Sequence, residues 1–451
     1  MLKLRQYLAL AVFSLVTVSA DADTTAFVNV NVISMATEVI LTGQTVLVAQ
    51  GKIVEIGPVD STPVPENALI IDGTDRFLMP GLAEMHAHVT STRPADIDRL
   101  FTLFVANGIT TIRGMLGRRS HLDLRAQLAS GAVFGPRFVT SGPSLNGRSV
   151  SGAADAARQV REQHAAGYDF IKVHPGLTAE EFAALAATAN ELGMPYAGHV
   201  PVAAGVTRAL QNRMRSIDHL DGYFVALLPP DSHGSGGFGG YFDVMLASEV
   251  DPEKISAITA ATAEAGTWNV PTQVLVEQMV DGTSVAELRN RPEMQYVPES
   301  MVNDWVIAKE NQLAKRGFDP EIAALAIDLR RRLILELHQS GAGLLLGSDA
   351  PQIFNVPGFS AHRELDALVA AGLTPYEALR TGTSAVAEFL GSNTGVVAVG
   401  READLILLDA NPLEDIRNSR RIHGVVLRGQ WLPAAELEQR LARYLTRVDE
   451  I

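Results

Sequence analysis

Short apolar strands alternate with alanine-rich helical segments from about Met79 to Leu390, and this alternation constrains the fold of the 451-residue chain more than any other feature. Helical stretches such as residues 179–192 and 323–339 separate the strands. Eight strands are predicted: Leu82–His88, Ile109–Arg113, Arg137–Ser141, Phe170–Val173, Tyr196–His199, Ser216–His219, Asn269–Thr272 and Leu344–Ser348. Because such alternation is typical of parallel sheets, it predicts an α/β protein with a (β/α)8 TIM barrel over residues 79–390.

The two ends of the chain have a different pattern, with short β-branched runs separated by turn residues. This pattern predicts a few strands in each of the two segments, residues 21–78 and 391–451. Each segment is too short to bury a core alone. We therefore expect the two segments to pack together as one small, discontinuous β-sandwich domain.

Two segments are expected to lie over the mouth of the barrel. Residues 274–341 are too many for one helix and its loops, which predicts an insertion there. Residues 232–240 are rich in Gly and Ser, and they predict a loop on the same side.

Residues 1–20 have the composition of a cleavable export signal. Lys3 and Arg5 precede the mostly apolar run Tyr7–Val18, and small residues follow before Asp21. The apolar run is shorter than the roughly 20 residues that a membrane-spanning helix needs, so no stable membrane insertion is expected after cleavage. We expect a soluble periplasmic or secreted protein that has no disulfide, because the chain has no Cys.

The net charge of -14 argues against one class of partner. Nucleic-acid binding depends on cationic side chains that neutralise phosphates, so nucleic acid is not an expected partner.

Candidate site residues stand at the carboxyl ends of the predicted strands, where the active sites of TIM barrels are built. His86 and His88 are two residues apart in a strand, so both imidazoles point to the same side and can share a metal ion. The candidates at the strand ends are His86, His88, Lys172, His199, His219 and Asp349. Together they predict a metal site, whereas a lysine paired with a carboxylate is the alternative for Lys172.

The order of these pieces resembles the amidohydrolase superfamily, and within it the branch of secreted or periplasmic proteins related to imidazolonepropionase and to Xaa-Pro and Xaa-Arg dipeptidases. The resemblance rests on Met79-Pro-Gly-Leu-Ala-Glu-Met-His-Ala-His88, the Ile-Lys-Val strand, the two single-His strand ends and Gly-Ser-Asp at residues 347–349. It covers essentially the whole chain after the predicted export signal.

The resemblance implies a site for two divalent metal ions. His86, His88 and Asp349 would hold one ion, His199 and His219 the other, and a carbamate formed on Lys172 would bridge them. Zinc is the default metal for histidine and oxygen ligands, with manganese or cobalt as alternatives.

One-metal deaminases of the superfamily are a further alternative, and they carry a Glu three residues after the fifth-strand His. Here His199 is followed by Val200, Pro201 and Val202, so that Glu is missing. The departure disfavours deamination and imidazolone-type ring opening, and it favours two metals.

The expected reaction is hydrolysis of a C–N amide bond, in a dipeptide or an N-acyl amino acid. Two cations that share a water lower its pKa from about 15.7 towards neutrality, and Asp349 beside that water is the expected general base. A lactone or ester hydrolase is the alternative on the same site. A non-catalytic binding or assembly relative is the alternative from another class, although such a scaffold has no need of all six site residues.

Three further residues are candidates for substrate contacts. Arg113 ends the second strand and is a candidate to pair with a substrate carboxylate, with a structural ion pair as the alternative. Tyr223 is a candidate to hydrogen-bond a substrate oxygen, with a packed aromatic as the alternative. His174 lies two residues beyond Lys172 and is a candidate to point into the site. A small molecule or dipeptide is the expected partner, and homo-oligomerisation stays open.

Overall fold

The computed structural model of the protein describes residues 24–230, 232 and 240–446. The predicted export signal at residues 1–20 lies outside this part of the chain, as does all of the predicted loop except residues 232 and 240. Within the described residues, no helix combines the length and the apolar composition that crossing a membrane requires.

The regular elements of the described chain are numbered in sequence order. The strands are β1 (Thr25–Ile33), β2 (Ile40–Ala49), β3 (Lys52–Pro58), β4 (Leu69–Asp72), β5 (Phe77–Pro80), β6 (Leu82–Ala87), β7 (Ile109–Gly114), β8 (Arg137–Thr140), β9 (Ile171–Val173), β10 (Tyr196–Gly198), β11 (Ser216–Asp218), β12 (Trp268–Val270), β13 (Leu405–Leu408), β14 (Ile422–Leu427) and β15 (Gln430–Pro433). The α-helices are α1 (Pro94–Ala106), α2 (Ser120–Ala129), α3 (Ala153–Ala166), α4 (Ala179–Leu192), α5 (Gly205–Gln211), α6 (Tyr223–Leu227), α7 (Ile255–Glu264), α8 (Gln273–Val280), α9 (Val285–Arg289), α10 (Glu299–Leu313), α11 (Pro320–Gln339), α12 (Phe359–Ala370), α13 (Pro375–Thr381), α14 (Ser384–Leu390) and α15 (Ala434–Ala442).

Strands from both ends of the chain join in one sheet of eight strands. Its order is β15-β14-β13-β5-β1-β2-β3, and β4 pairs in parallel with β1. The junction is β5, which pairs in parallel with β1 and antiparallel with β13. Phe27, Val48 and Leu405 belong to one buried cluster within this sheet, so the two ends of the chain share a core.

The central part of the chain forms a TIM-barrel-like curled sheet of parallel strands. β6, β7 and β8 form one set, and β9 to β12 form a second set. A parallel bridge between Ser141 and Phe170 connects the two sets. Seven of the eight predicted strands are therefore present, with bounds that differ by a few residues.

The predicted eighth strand at residues 344–348 differs from expectation, because it forms isolated contacts rather than a regular strand. Leu344 bridges to Asn269 of β12 on one side. On the other side, the backbone N–H of Met85 in β6 donates to the carbonyl of Leu346 at 2.8 Å. The segment thus lies between the last strand and the first.

The expected insertion at residues 274–341 contains helices α8 to α11. Leu288, Val302 and Trp305 pack there against Leu103 and Phe354 in a separate apolar cluster. This places the inserted helices beside α1 and the segment after residue 349.

The last helix of this stretch, α11, instead packs against the barrel. Asp319 caps its first turn by accepting hydrogen bonds from the N–H groups of Glu321 and Ile322, and Pro320 suits its first position. Its buried residues recur at helical spacing, so one face joins the main core.

Candidate active site

The strand-end candidates meet at the carboxyl side of the curled sheet. His86 lies in β6, Lys172 in β9, and His199 and His219 directly follow β10 and β11. The ring centroid of His219 is 4.5 Å from that of His86 and 4.7 Å from that of His199. Parallel strands bring these residues together because their carboxyl ends share one edge.

Asp349 closes the cluster from the segment after residue 348. Its Oδ1 lies 2.6 Å from Nε2 of His88 and 3.6 Å from Nε2 of His86. The Nε2 of Gln352 donates to the same oxygen at 2.8 Å, which fixes the carboxylate.

Three residues of this cluster have ligand atoms close enough together to hold one metal ion. His86, His219 and Asp349 each offer one ligand atom, and these atoms lie within 4.8 Å of one another. Imidazole nitrogens and carboxylate oxygens are the usual ligands of zinc at catalytic sites. The donor set therefore fits a divalent cation.

Unpaired buried nitrogens in the cluster also indicate a binding site. Among the described residues, Nδ1 of His88 and Nζ of Lys172 have no hydrogen-bond partner, although each atom is buried. Buried polar atoms are nearly always paired in folded proteins, so two such nitrogens in one cluster call for a further group.

Two histidines are oriented by neighbouring oxygens. Nδ1 of His199 lies 3.1 Å from Oδ2 of Asp221, and Nδ1 of His219 lies 2.9 Å from Oγ1 of Thr272. The Asp221 carboxylate can only accept, so it holds His199 in the tautomer that leaves Nε2 free to bind a cation. The Thr272 hydroxyl can donate or accept, and it orients the His219 ring. Neither supporting residue was predicted, although Thr272 ends a predicted strand.

Burial keeps the central imidazoles neutral, because it disfavours their charged form. It lowers the pKa of His86 and His219 well below the usual value, and the nearby Lys172 lowers the pKa of His86 further. Neutral imidazole is the form that binds metal ions. Burial also lowers the pKa of the Lys172 amine, against the attraction of Asp218 and Asp349.

Asp218 was not predicted as a site residue, yet it lies at the base of the cluster. Its Oδ2 is 3.0 Å from Nδ1 of His86 and 3.8 Å from Nζ of Lys172. Burial raises the pKa of this carboxyl, but Arg113 and Lys172 outweigh that effect and hold the pKa below its usual value. Its position directly before His219 is the sequence signal that was available.

Arg113 does not lie at the barrel mouth, as was expected of a substrate contact. Its side chain is buried, and its Nε donates to the carbonyl of Met85 at 2.7 Å. Its other nitrogens donate to Oγ of Ser216 at 3.0 Å and to Oδ1 of Asp218 at 3.2 Å. With these donors engaged inside the protein, Arg113 has the geometry of the alternative, a structural ion pair.

Tyr223 also makes its contacts inside the protein. It is fully buried, its hydroxyl donates to Oδ1 of Asn269 at 2.9 Å, and it lies 3.0 Å from Oγ1 of Thr262. This is the packed aromatic that was the alternative reading. His174, in contrast, stacks on His199 with ring centroids 5.1 Å apart, so it borders the site.

Phe242 was not anticipated at the site. Its ring stacks on His219 at 4.6 Å and on His199 at 6.1 Å, and so covers the two imidazoles. Its backbone has a φ of 48°, in the left-handed region that residues with a Cβ rarely adopt. No sequence pattern marks it, because the contact depends on the path of a long loop.

Strained backbone recurs at the site itself. His219, Thr272 and Asp349 have φ values of 65°, 46° and 64°. Such conformations cost on the order of 1–3 kcal/mol each and persist where the surrounding structure enforces them. Their concentration at three strand ends fits a functional centre.

Comparisons with known proteins give a family and several structural neighbours. The profile described as Amidohydrolase family matches residues 77–432. A solved structure of a candidate prolidase from Bifidobacterium longum is 23% identical, with a TM-score of 0.68 over 94% of this chain and 99% of that chain. A bottromycin amidohydrolase is 25% identical, with a TM-score of 0.72 over 93% of this chain and 90% of that chain.

A third neighbour is a Xaa-Pro dipeptidase with methionine bound in its active site. It is 19% identical, with a TM-score of 0.66 over 91% of this chain and 100% of that chain. Among curated proteins, no significant match is found.

Proposed function

Because the chain belongs to the amidohydrolase family, as its motifs predicted, we propose that it is a metal-dependent hydrolase of dipeptides or N-acyl amino acids. The observation that carries the proposal is the cluster of His86, His219 and Asp349. The prolidase and dipeptidase neighbours support this branch of the family by their likeness in fold.

The proposal assigns two divalent ions, with zinc as the default. His86, His88 and Asp349 would hold the first ion, and His199 and His219 the second. A carbamate on Lys172 would bridge them, which supplies a role for a buried amine that has no hydrogen-bond partner. A carbamate is anionic and has two oxygens, whereas a bare ammonium would repel both ions.

An ion pair between Lys172 and Asp218 is the competing account of the same geometry. It is weakened by the distance of 3.8 Å between the charged atoms. Asp218 is also already the partner of Arg113 and accepts a hydrogen bond from Oγ of Ser216 at 3.0 Å. One carboxylate thus faces two cationic side chains.

Bound metal ions would make a water acidic and polarise the scissile carbonyl. Asp349 would take a proton from that water on its carboxylate and return it to the leaving nitrogen as the C–N bond breaks. The step consumes one amide and one water, and the products are a carboxylic acid and an amine. Gln352 and His88 hold the Asp349 carboxylate in place.

A lactone or ester hydrolase is the second candidate, since the same activated water attacks those carbonyls. A non-catalytic relative is the third, and it leaves the orphaned nitrogens of the cluster without a purpose. Two tests separate these proposals: metal content per chain, and rates on a panel of dipeptides, N-acyl amino acids and lactones. One ion or none per chain contradicts the two-metal site, and hydrolysis of lactones without amides favours the second candidate.

We also propose that the parallel bridges close the curled sheet into a (β/α)8 barrel over residues 79–390. The β domain, residues 21–78 with 391–451, would then fold as a small sandwich.

Export to the periplasm or the medium is proposed from residues 1–20 alone. The mass of the mature protein from a periplasmic fraction tests the export signal, because cleavage should begin the chain at residue 21.

A further inference from the structure

A cavity of about 440 Å³ opens beside His88, and we call it the His88 pocket. One wall is α1 with the loop that precedes it, and the other wall is the inserted segment around α10. His88 and Pro351 are among its lining residues, so the pocket adjoins the proposed metal centre. Its volume is in the range of pockets that hold small organic ligands.

The inserted segment gives this pocket an apolar, aromatic wall. Tyr296, Met301 and Trp305 line it from that side, and Leu100 and Leu103 line it from α1. A wall of this kind binds a bulky apolar group more tightly than a small one, because the binding free energy grows with the apolar area that is buried.

Packing holds two of these aromatic rings in place. Trp305 lies against Phe354 with ring centroids 5.8 Å apart, and Tyr296 stacks on Phe359 at 5.9 Å. The wall is therefore preformed.

The opposite rim carries more positive than negative charge. Asp96 accepts hydrogen bonds from Nε of Arg93 and Oγ of Ser91, both at 2.7 Å, and a second one from Arg93 at 3.0 Å. Arg99 reaches the same carboxylate only at 3.7 Å, and within the described chain its guanidinium has no hydrogen-bond acceptor. Its side chain is 22% exposed. One guanidinium is thus left to bind an anion.

We propose that the His88 pocket binds the leaving amino acid of the substrate, and that this amino acid is bulky and apolar. Its side chain lies against Tyr296, Met301 and Trp305, and its free carboxylate pairs with Arg99. This inference rests on the proposed amide hydrolysis and narrows its substrate class to N-acyl or aminoacyl derivatives of amino acids such as phenylalanine. It also assigns to Arg99 the role that was expected of Arg113.

Matched substrates test the charge. We expect the zinc-loaded protein to cleave N-acetyl-L-phenylalanine at least about tenfold more efficiently than N-acetyl-L-phenylalaninamide, in kcat/KM, because a bond to a charged group is lost in the amide. Arg99→Gln should remove this preference by raising KM, with little change in kcat. Arg161→Gln, on the outer side of α3 where the side chain is 55% exposed, is the control and should keep it.

Pocket size is tested with a second pair of variants. Met301→Trp fills the pocket and should lower kcat/KM for N-acetyl-L-phenylalanine by roughly tenfold or more, while N-acetyl-L-alanine changes little. Ile307→Trp is the matched control, because Ile307 is 54% exposed on the same helix. Equal rates on both amino acids, or on acid and amide, in the parent protein overturn the inference.

Product binding separates this inference from the proposed reaction. Calorimetry of the zinc-loaded protein should show tighter binding of L-phenylalanine than of L-alanine or L-phenylalaninamide. In Arg99→Gln, L-phenylalanine and L-phenylalaninamide should bind equally tightly. If no amide is cleaved but these differences hold, the reaction is wrong and the pocket assignment stands. If amides are cleaved without these differences, the pocket assignment is wrong.

Discussion

Glu84 accepts two hydrogen bonds from Ser348, one from the backbone N–H at 2.8 Å and one from the hydroxyl at 2.6 Å. The same carboxylate accepts from the N–H of His86 at 3.0 Å. A single buried side chain thus ties the first barrel strand to the segment that carries Asp349. Glu84 is a positioning residue, since it holds two proposed metal ligands without facing the cavity.

Glu84→Ala should destabilise the protein by about 2 kcal/mol or more, because three buried donors lose their acceptor. Glu84→Gln should cost clearly less, since its carbonyl oxygen can accept from both N–H groups and its amide can donate to the Ser348 hydroxyl. Urea unfolding of both variants measures the difference. Equal losses would mean that side-chain volume, and not hydrogen bonding, is what matters at this position.

Lys172→Met should reduce the metal content from two ions per chain to one and abolish turnover, because the bridging oxygens are lost. Protein equilibrated with 13C-labelled bicarbonate should give a carbamate resonance that is absent in Lys172→Met. Lys52→Met, at an exposed strand position, is the control and should keep the resonance. Added short carboxylates should restore part of the activity of Lys172→Ala, because the shorter side chain leaves space for them. A parent protein with no carbamate signal would instead favour the ion pair with Asp218.

Asp349→Asn keeps the size of the side chain and removes the proposed base. Turnover should fall by about a hundredfold or more, which is the range for a lost general base, while the fold is retained. Asp328→Asn, whose side chain is 77% exposed on α11, should leave turnover unchanged. Near-normal turnover of Asp349→Asn with both metals bound would rule out this route for the proton.

The sequence predicted the fold well where local patterns determine it. The alternation of strands and helices located seven parallel strands, and their carboxyl ends placed His86, Lys172 and His219 in one cluster. The resemblance to the amidohydrolase superfamily agrees with the family match over residues 77–432.

Side-chain direction could not be read in the same way. Arg113 lies in a strand that was located correctly, but its guanidinium turns towards Asp218 inside the protein. The spacing of residues along one strand predicts which side of the sheet a side chain faces. It does not predict which residue of another strand that side chain contacts. Arg99 was missed for a related reason, since its pocket exists only because the inserted helices pack beside α1.

The structural role of Arg113 gives a prediction that differs from that of a substrate contact. Arg113→Met leaves the buried Asp218 without its guanidinium, which should destabilise the protein by about 3–5 kcal/mol. Urea unfolding measures this loss. If stability is unchanged and only the preference for substrate carboxylates is lost, Arg113 contacts substrate after all.

Glu364 makes the stability of the protein depend on pH. It is buried on α12, where its carboxylate accepts hydrogen bonds from the N–H groups of Gln273 and Val274 at 2.9 and 2.7 Å. Burial raises its pKa from 4.5 to about 8, with a smaller contribution from the charge of Glu277, and the two hydrogen bonds only partly oppose the shift. Between these values the folded chain binds a proton that the unfolded chain has released, so this group lowers stability as pH rises from 5 to 8.

The side chain of Glu364→Gln does not titrate. The parent should therefore lose stability relative to this variant as pH rises, which urea unfolding at pH 5, 6.5 and 8 measures. A constant difference between the two proteins would show that Glu364 is already ionised in the folded state at pH 5.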